Sequence, residues 1–158
     1  MSQPISLSLQ LPGGIWQRVR EVRSRVAEVT AALPVDVRDA APMAAAELVE
    51  NAIKYGESVP GCPDINVLVS ITAERITIEV SNGASDRGAL DELFQRVEQI
   101  SKSDDRESLY IGRLTEMLST PGAGGKLGLY RIGFEGNFDL ECHHADQILT
   151  VRATRTLA

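Results

Sequence analysis

The run ELVENAIKYG, Glu47 to Gly56, gathers two carboxylates, a carboxamide, an ammonium and a phenol within three turns of any helix it could form. Helical geometry aligns Glu47, Asn51 and the Lys54/Tyr55 pair, because residues three and four apart share a face. Ala45, Leu48, Ala52 and Ile53 take the neighbouring side, so one face can pack while a polar ridge looks into a pocket. An asparagine carbonyl oxygen is a hard ligand suited to Mg²⁺. A carboxylate one turn earlier can take a proton from an attacking hydroxyl or water. Such a ridge suits nucleoside triphosphate chemistry. The same spacing also fits a solvated helix on which Glu50 faces outward and pairs with Lys54 at i,i+4.

The second candidate is GAGGKLGLYRIG, residues 122–133. Gly122, Gly124 and Gly125 permit backbone conformations that other residues avoid and let the chain approach a ligand closely. Lys126 adds a point charge. Leu127 and Gly128 open an apolar, helix-compatible segment whose first N–H groups could face a phosphate. No GKS or GKT sequence of a Walker motif follows, and a glycine-rich run also serves as a plain connector.

The flanking sequence supplies elements that could hold these residues. Ile5 to Leu11 alternates apolar and polar, the period of a half-buried strand. From Ile15 to Leu33 the apolar positions Val19, Val22, Val26, Val29 and Leu33 predict an amphipathic helix that Pro34 ends. Val35 to Ala41 reads as a helical turn, and Pro42 suits the first turn of a separate helix running to about Tyr55. Ile65–Thr72 and Arg75–Ser81 read as two strands about a tight turn at Ala73-Glu74. Helices follow from Ala89 to about Ile100 and, after a Ser103-Asp104-Asp105 turn and cap, to about Leu118. Two strands, near Asn137–His143 and Gln147–Thr156, close the chain. The expected fold is α+β: a two-layer sandwich in which a mixed, mostly antiparallel sheet carries helices on one face.

Composition narrows the function classes. The chain has 158 residues, enough for one domain with a sizeable core, and its formal net charge is −6. That charge speaks against a nucleic-acid partner. No apolar stretch approaches a membrane span and no basic, apolar leader opens the chain, so a cytoplasmic protein with no membrane partner is expected. Cys62 and Cys142 lie in no metal-binding spacing and read as reduced thiols. His143 and His144 are adjacent on a strand and point to opposite faces, which makes a shared metal site improbable. Trp16 is expected to pack in the core or at an interface.

ELVENAIKYG resembles the N-box of the GHKL ATPase superfamily, which includes histidine kinases, gyrase-type ATPases and bacterial anti-sigma serine kinases. GGKLGL, Gly124 to Leu129, resembles its G2 box, in which Lys126 stands where a glycine is usual. The order of elements agrees over nearly the whole chain. The early strand and the absence of a phosphoacceptor helix resemble the RsbW-like kinases, and the helical insert looks closest to the SiaB-like stand-alone kinases. The resemblance implies one histidine-kinase-type ATPase domain over residues 1–158, with a helical lid over about 88–120. It implies ATP and Mg²⁺ as cofactors, Asn51 as the Mg²⁺ ligand and Glu47 as the general base. Lys54 and Tyr55 would lie near phosphates and ribose, and residues Gly122, Gly124, Gly125, Lys126, Leu127 and Gly128 would form the phosphate loop.

The adenine-binding aspartate of the family's DxGxG box is replaced. Ser81 occupies the expected position, and Asn82 with Gly83 becomes the adenine-binding candidate if the register shifts by one; an Asn-Gly turn at a strand end is the plain alternative. Two functions follow from the resemblance. One is an ATP-dependent serine/threonine protein kinase or switch acting on a small regulatory partner in bacterial signalling, resembling anti-sigma-antagonist systems, with a homodimer allowed. The other is a pseudo-kinase that binds and sequesters such a partner without nucleotide.

Overall fold

A computed structural model describes residues 4–11, 16–119 and 127–157. The described strands form one five-stranded sheet in the order β1-β2-β3-β5-β4, with every neighbouring pair antiparallel. These are β1 (Ile5–Leu11), β2 (Ile65–Ile71), β3 (Arg75–Gly83), β4 (Asp139–Ala145) and β5 (Ile148–Thr156). Strand alternation decides the layers. Val67, Val69, Ile71, Ile76, Ile78, Val80, Val151 and Ala153 are buried on one face. Between them, Leu68, Thr77, Glu79, Thr150 and Arg152 turn to the other. That second face is polar and carries cross-strand pairs at directly opposed positions. Arg152 Nε meets Glu79 Oε1 at 2.6 Å, and the Ser81 and Thr150 hydroxyls lie 2.9 Å apart.

The helices cover the apolar face, which makes the chain an α+β two-layer sandwich. They are α1 (Gln17–Val29), α2 (Val35–Tyr55), α3 (Arg87–Lys102), α4 (Arg106–Ser119) and α5 (Leu127–Phe134). Val22 and Val26 of α1, Leu48 and Val49 of α2, Val97 and Ile100 of α3, and Leu129 and Ile132 of α5 join the sheet in one contiguous core, with Phe138 fully buried. The sheet is antiparallel throughout, where a mixed one was expected.

Two local expectations need correction. Pro42 does not begin a helix; α2 runs unbroken from Val35 to Tyr55 with Pro42 inside it. A helix-internal proline forfeits one backbone bond and crowds the preceding turn, at about 3 kcal/mol. Here the segment Ala40 to Ala46 is almost wholly alanine and buried, so close packing against α1 and the sheet offsets that loss. Trp16, expected in the core or at an interface, lies outside the core and is 48% exposed, as the interface placement requires. Among the described residues no ion pair joins Glu50 to Lys54.

Other expected features are present. The β2–β3 turn closes through Thr72 N donating to Arg75 O at 2.9 Å. Asp105 caps α4, accepting from Ser108 N at 3.1 Å. The β4–β5 hairpin turns on Asp146 and Gln147, both at positive φ (54° and 65°), the signature of a two-residue primed turn.

Candidate functional site

The long helix α2 carries the ridge, and the sheet beneath fixes its height. Leu48, Val49 and Ala52 are buried toward the strands, which turns Asn51 and Tyr55 toward the space between α2 and α3. A cavity of about 50 Å³ lies there. Leu48, Asn51, Ala52 and Tyr55 of α2 form one wall, and Val80, Asn82, Leu149 and Val151 of the sheet form the floor. Asp86, Ala89, Leu90 and Leu93, at the start of α3, close the third side. Its lining is mostly apolar with a few convergent polar groups, the composition of a small-molecule site. Its volume is well below the roughly 300–1,000 Å³ of a typical ligand pocket. Room for a ring system therefore requires α3 to move outward.

Strand alternation resolves the register question at the end of β3. Ser81 turns to the outer face and is spent on Thr150, so it cannot reach the cavity. Asn82 turns inward, is 6% exposed and lines the floor. Its Nδ2 donates to Gly83 O at 2.9 Å, and its Oδ1 takes no donor from the described residues. The loop beyond is fastened on three sides. Glu57 N donates to Gly83 O at 2.8 Å, Ala84 N donates to Gln147 O at 2.8 Å, and His144 Nε2 lies 2.8 Å from Ala84 O. The Ser85 hydroxyl also donates to the Glu57 carboxylate. Asp86 then caps α3 by accepting from Ala89 N at 3.2 Å.

Asn51 is half-buried, and none of its side-chain atoms bonds to a described residue, so its amide is free for a ligand. It offers one carbonyl oxygen to a cation. No cluster of three or more His, Cys, Asp or Glu suited to a metal occurs among the described residues. The residues present therefore fit Mg²⁺ only as the companion of a nucleotide, with phosphate oxygens and water completing its shell. Tyr55 lines the cavity at its exposed end, whereas Lys54 is exposed and contributes nothing to its wall.

Glu47 sits one turn before Asn51, about 6 Å along the axis, and its side chain is only 15% exposed. It does not line the cavity. Arg131 of α5 donates from Nη1 to Glu47 Oε1 at 2.9 Å and from Nε to Glu135 Oε2 at 2.7 Å. Burial, and next the charge of Glu50, push the Glu47 carboxyl above its ordinary range. Arg131 and Arg23 pull the other way without cancelling them. Gly128 makes this approach possible, since a Cβ there would lie 2.1 Å from Glu47 Oε2. Gly128 is thus buried packing for α5 against α2, and Leu127 is the first residue of that helix. Gly122, Gly124, Gly125 and Lys126 lie outside the described residues.

No protein-family model matches the chain, and no curated protein matches its sequence. Its own geometry must carry the function.

The structure brings Asn51, Tyr55 and Asn82 to one cavity, with Gly83 at its rim and Glu47 one turn away. Lys54 stands apart. Sequence reasoning missed Arg131, Glu57 and His144. Arg131 lay in plain view as the third residue after the candidate loop glycine Gly128, but only the packing of α5 on α2 pairs it with Glu47. Glu57 and His144 act through backbone groups of residues far away in the chain, and local sequence carries no signal for that.

Proposed function

We propose that the chain adopts the nucleotide-binding fold of the GHKL superfamily and acts as an ATP-dependent serine/threonine protein kinase on a small regulatory protein. One observation carries the reading: an unspent Asn51 amide and an Asn82 acceptor converge on one apolar cavity, with a half-buried carboxylate one helical turn away. The adenine ring would enter between α2 and the sheet, with Asn82 Oδ1 accepting from its exocyclic amine. Asn51 would face the triphosphate and its Mg²⁺, and Glu47 would take the acceptor's proton. The helices α3 and α4 span the segment expected to act as a lid, and α3 already forms the cavity's third wall.

A specific observation favours the second reading, a nucleotide-independent pseudo-kinase. The cavity holds about 50 Å³, too little for a purine ring, with Leu90 and Leu93 of α3 in its wall. Calorimetric titration with Mg-ATP separates the two. A micromolar affinity that Asn51→Ala abolishes supports the kinase, as does transfer of radiolabelled phosphate to the partner that Glu47→Ala removes. Absence of any heat with Mg-ATP, alongside a stable partner complex, establishes the pseudo-kinase instead.

A further inference from the structure

The carboxylate of Glu47 is held from one side only. Arg131 Nη1 donates to Oε1 at 2.9 Å, and the same guanidinium is anchored at its other edge by Glu135, 2.7 Å from Nε. An arginine free to choose its geometry engages both carboxylate oxygens in a fork. Here Nη1 alone reaches the carboxylate, through Oε1, while Nε is held by Glu135, and Oε2 receives no donor from the described residues. That oxygen rests over Gly128, where a Cβ would lie 2.1 Å from it and 3.0 Å from Cδ. A glycine at the second position of α5 therefore sets where Oε2 can be.

We infer that Arg131 is a positioning residue for Glu47: it occupies Oε1 and so leaves Oε2, above Gly128, as the oxygen that accepts the proton of the attacking hydroxyl. The inference rests on the kinase reading of this site. In the step it serves, the hydroxyl oxygen forms a bond to the γ-phosphorus of ATP as its proton passes to Oε2. The bond from that phosphorus to the bridging oxygen breaks, ADP leaves with the electron pair, and Glu47 later returns the proton to solvent.

The groups facing Glu47 are few. Glu50 lies on its own helix, Arg131 comes from α5 and Glu135 from the turn just after it, Arg23 from α1, and Tyr110 of α4 donates to Glu135 Oε1 at 3.4 Å. Removing Arg131 leaves Arg23 as the one cation among them opposing burial and Glu50. The acid limb of the pH–rate profile must then move to higher pH.

The test uses the full chain with Mg-ATP alone, water serving as acceptor, and reads single-turnover hydrolysis against pH. A carbon-13 titration of the Glu47 carboxyl runs in parallel. Arg131→Met should lower the rate about tenfold at neutral pH, less than the roughly hundredfold or more that loss of the base itself costs, with KM for ATP unchanged. Its acid limb and the Glu47 titration should both shift upward. Arg131→Lys should restore the limb while leaving the rate reduced, because a point charge lacks the planar edge; this variant decides the matter if Arg131→Met does not fold. An unmoved limb and titration in Arg131→Met, with Glu47→Gln still inactive, would overturn the positioning role and leave the kinase reading intact. No hydrolysis by the unsubstituted chain would overturn both.

Discussion

Gly83 and Gly112 pose the same substitution with opposite expected signs. At Gly83, an added Cβ would lie 2.2 Å from the Glu57 carbonyl oxygen and 2.9 Å from both Val59 methyl carbons. The nearest atom belongs to backbone, so a side-chain rotation cannot relieve the contact. The bridge that holds Glu57 N on Gly83 O at 2.8 Å must part instead. Losing that bond costs about 1 kcal/mol, and forcing a methyl into a packed site costs about 1–3 kcal/mol. Together they predict that Gly83→Ala destabilises by roughly 2–4 kcal/mol. For a chain of this size, that lowers Tm by roughly 5–15 °C. Gly83 O also accepts from Asn82 Nδ2, so the candidate adenine-reading amide would lose its fixed orientation. Gly112 lies within α4 with nothing within 4 Å of the added carbon. There Gly112→Ala should stabilise by about 0.5–1 kcal/mol through helix propensity alone. Thermal melts and urea titrations of both variants check the pair. A neutral Gly83→Ala, or a Gly112→Ala as costly as Gly83→Ala, would refute the placement of the Glu57 strap against β3.

Glu47→Gln should lose a pH dependence that the unsubstituted chain has. Because burial and Glu50 raise the Glu47 carboxyl in the folded state, stability from this group is complete below its ordinary value of 4.5 and is lost as pH rises through the folded value. Urea titrations across that window should find the variant gaining on the unsubstituted chain as pH rises; a constant difference would count against the burial of Glu47. Burial pushes the Cys142 thiol up to about 12, so iodoacetamide should leave it unmodified at pH 8 unless denaturant is added, as read by mass spectrometry. Leu90, 4% exposed, borders the cavity from α3. Leu90→Ala should cost about 2–4 kcal/mol by denaturant titration, and by enlarging the cavity it should tighten Mg-ATP binding in calorimetry.

The strands were legible because alternation is a short-range signal: ISLSLQL forms β1 over the residues its pattern marks. Strict alternation also fixed the opposite facings of Ser81 and Asn82, though only once β5 was seen to lie beside β3 and take the Ser81 hydroxyl. The continuity of α2 through Pro42 was not legible, since proline propensity is local and the packing of Ala40 to Ala46 that overrides it is tertiary. The ridge of Glu47 and Asn51 was read correctly as two residues on one line. Its two ends nevertheless meet different neighbours, because α3 covers Asn51 while α5 covers Glu47. Helical periodicity says which residues share a face but not what is packed against each turn of it.

Those two neighbours have a common origin. Both α3 and α5 lie in the connection that leaves β3 at Gly83 and returns at β4, and β4 then pairs with β5 beside β3. One end of that connection is tightly fixed, with Gly83 and Ala84 bonded to Glu57, Gln147 and His144. The other is fixed by Arg106, which donates to Gly133 O at 3.0 Å, to Phe138 O at 2.9 Å and to Asp139 at 2.6 Å. Arg106 is the first residue of α4, whose later turns leave Ile111 and Leu118 51% and 88% exposed while Leu109 and Tyr110 lie partly buried against the core. α3 spans the stretch between these two anchors, so an outward shift of α3 would flex that stretch without breaking the sheet. Because α4 also packs on α5, through Tyr110 against Phe134 with ring centroids 5.6 Å apart, such a shift would reach the helix that holds Glu47. On the kinase reading proposed above, admission of a ligand beside Asn51 and the setting of the carboxylate at Glu47 would be coupled through one connection.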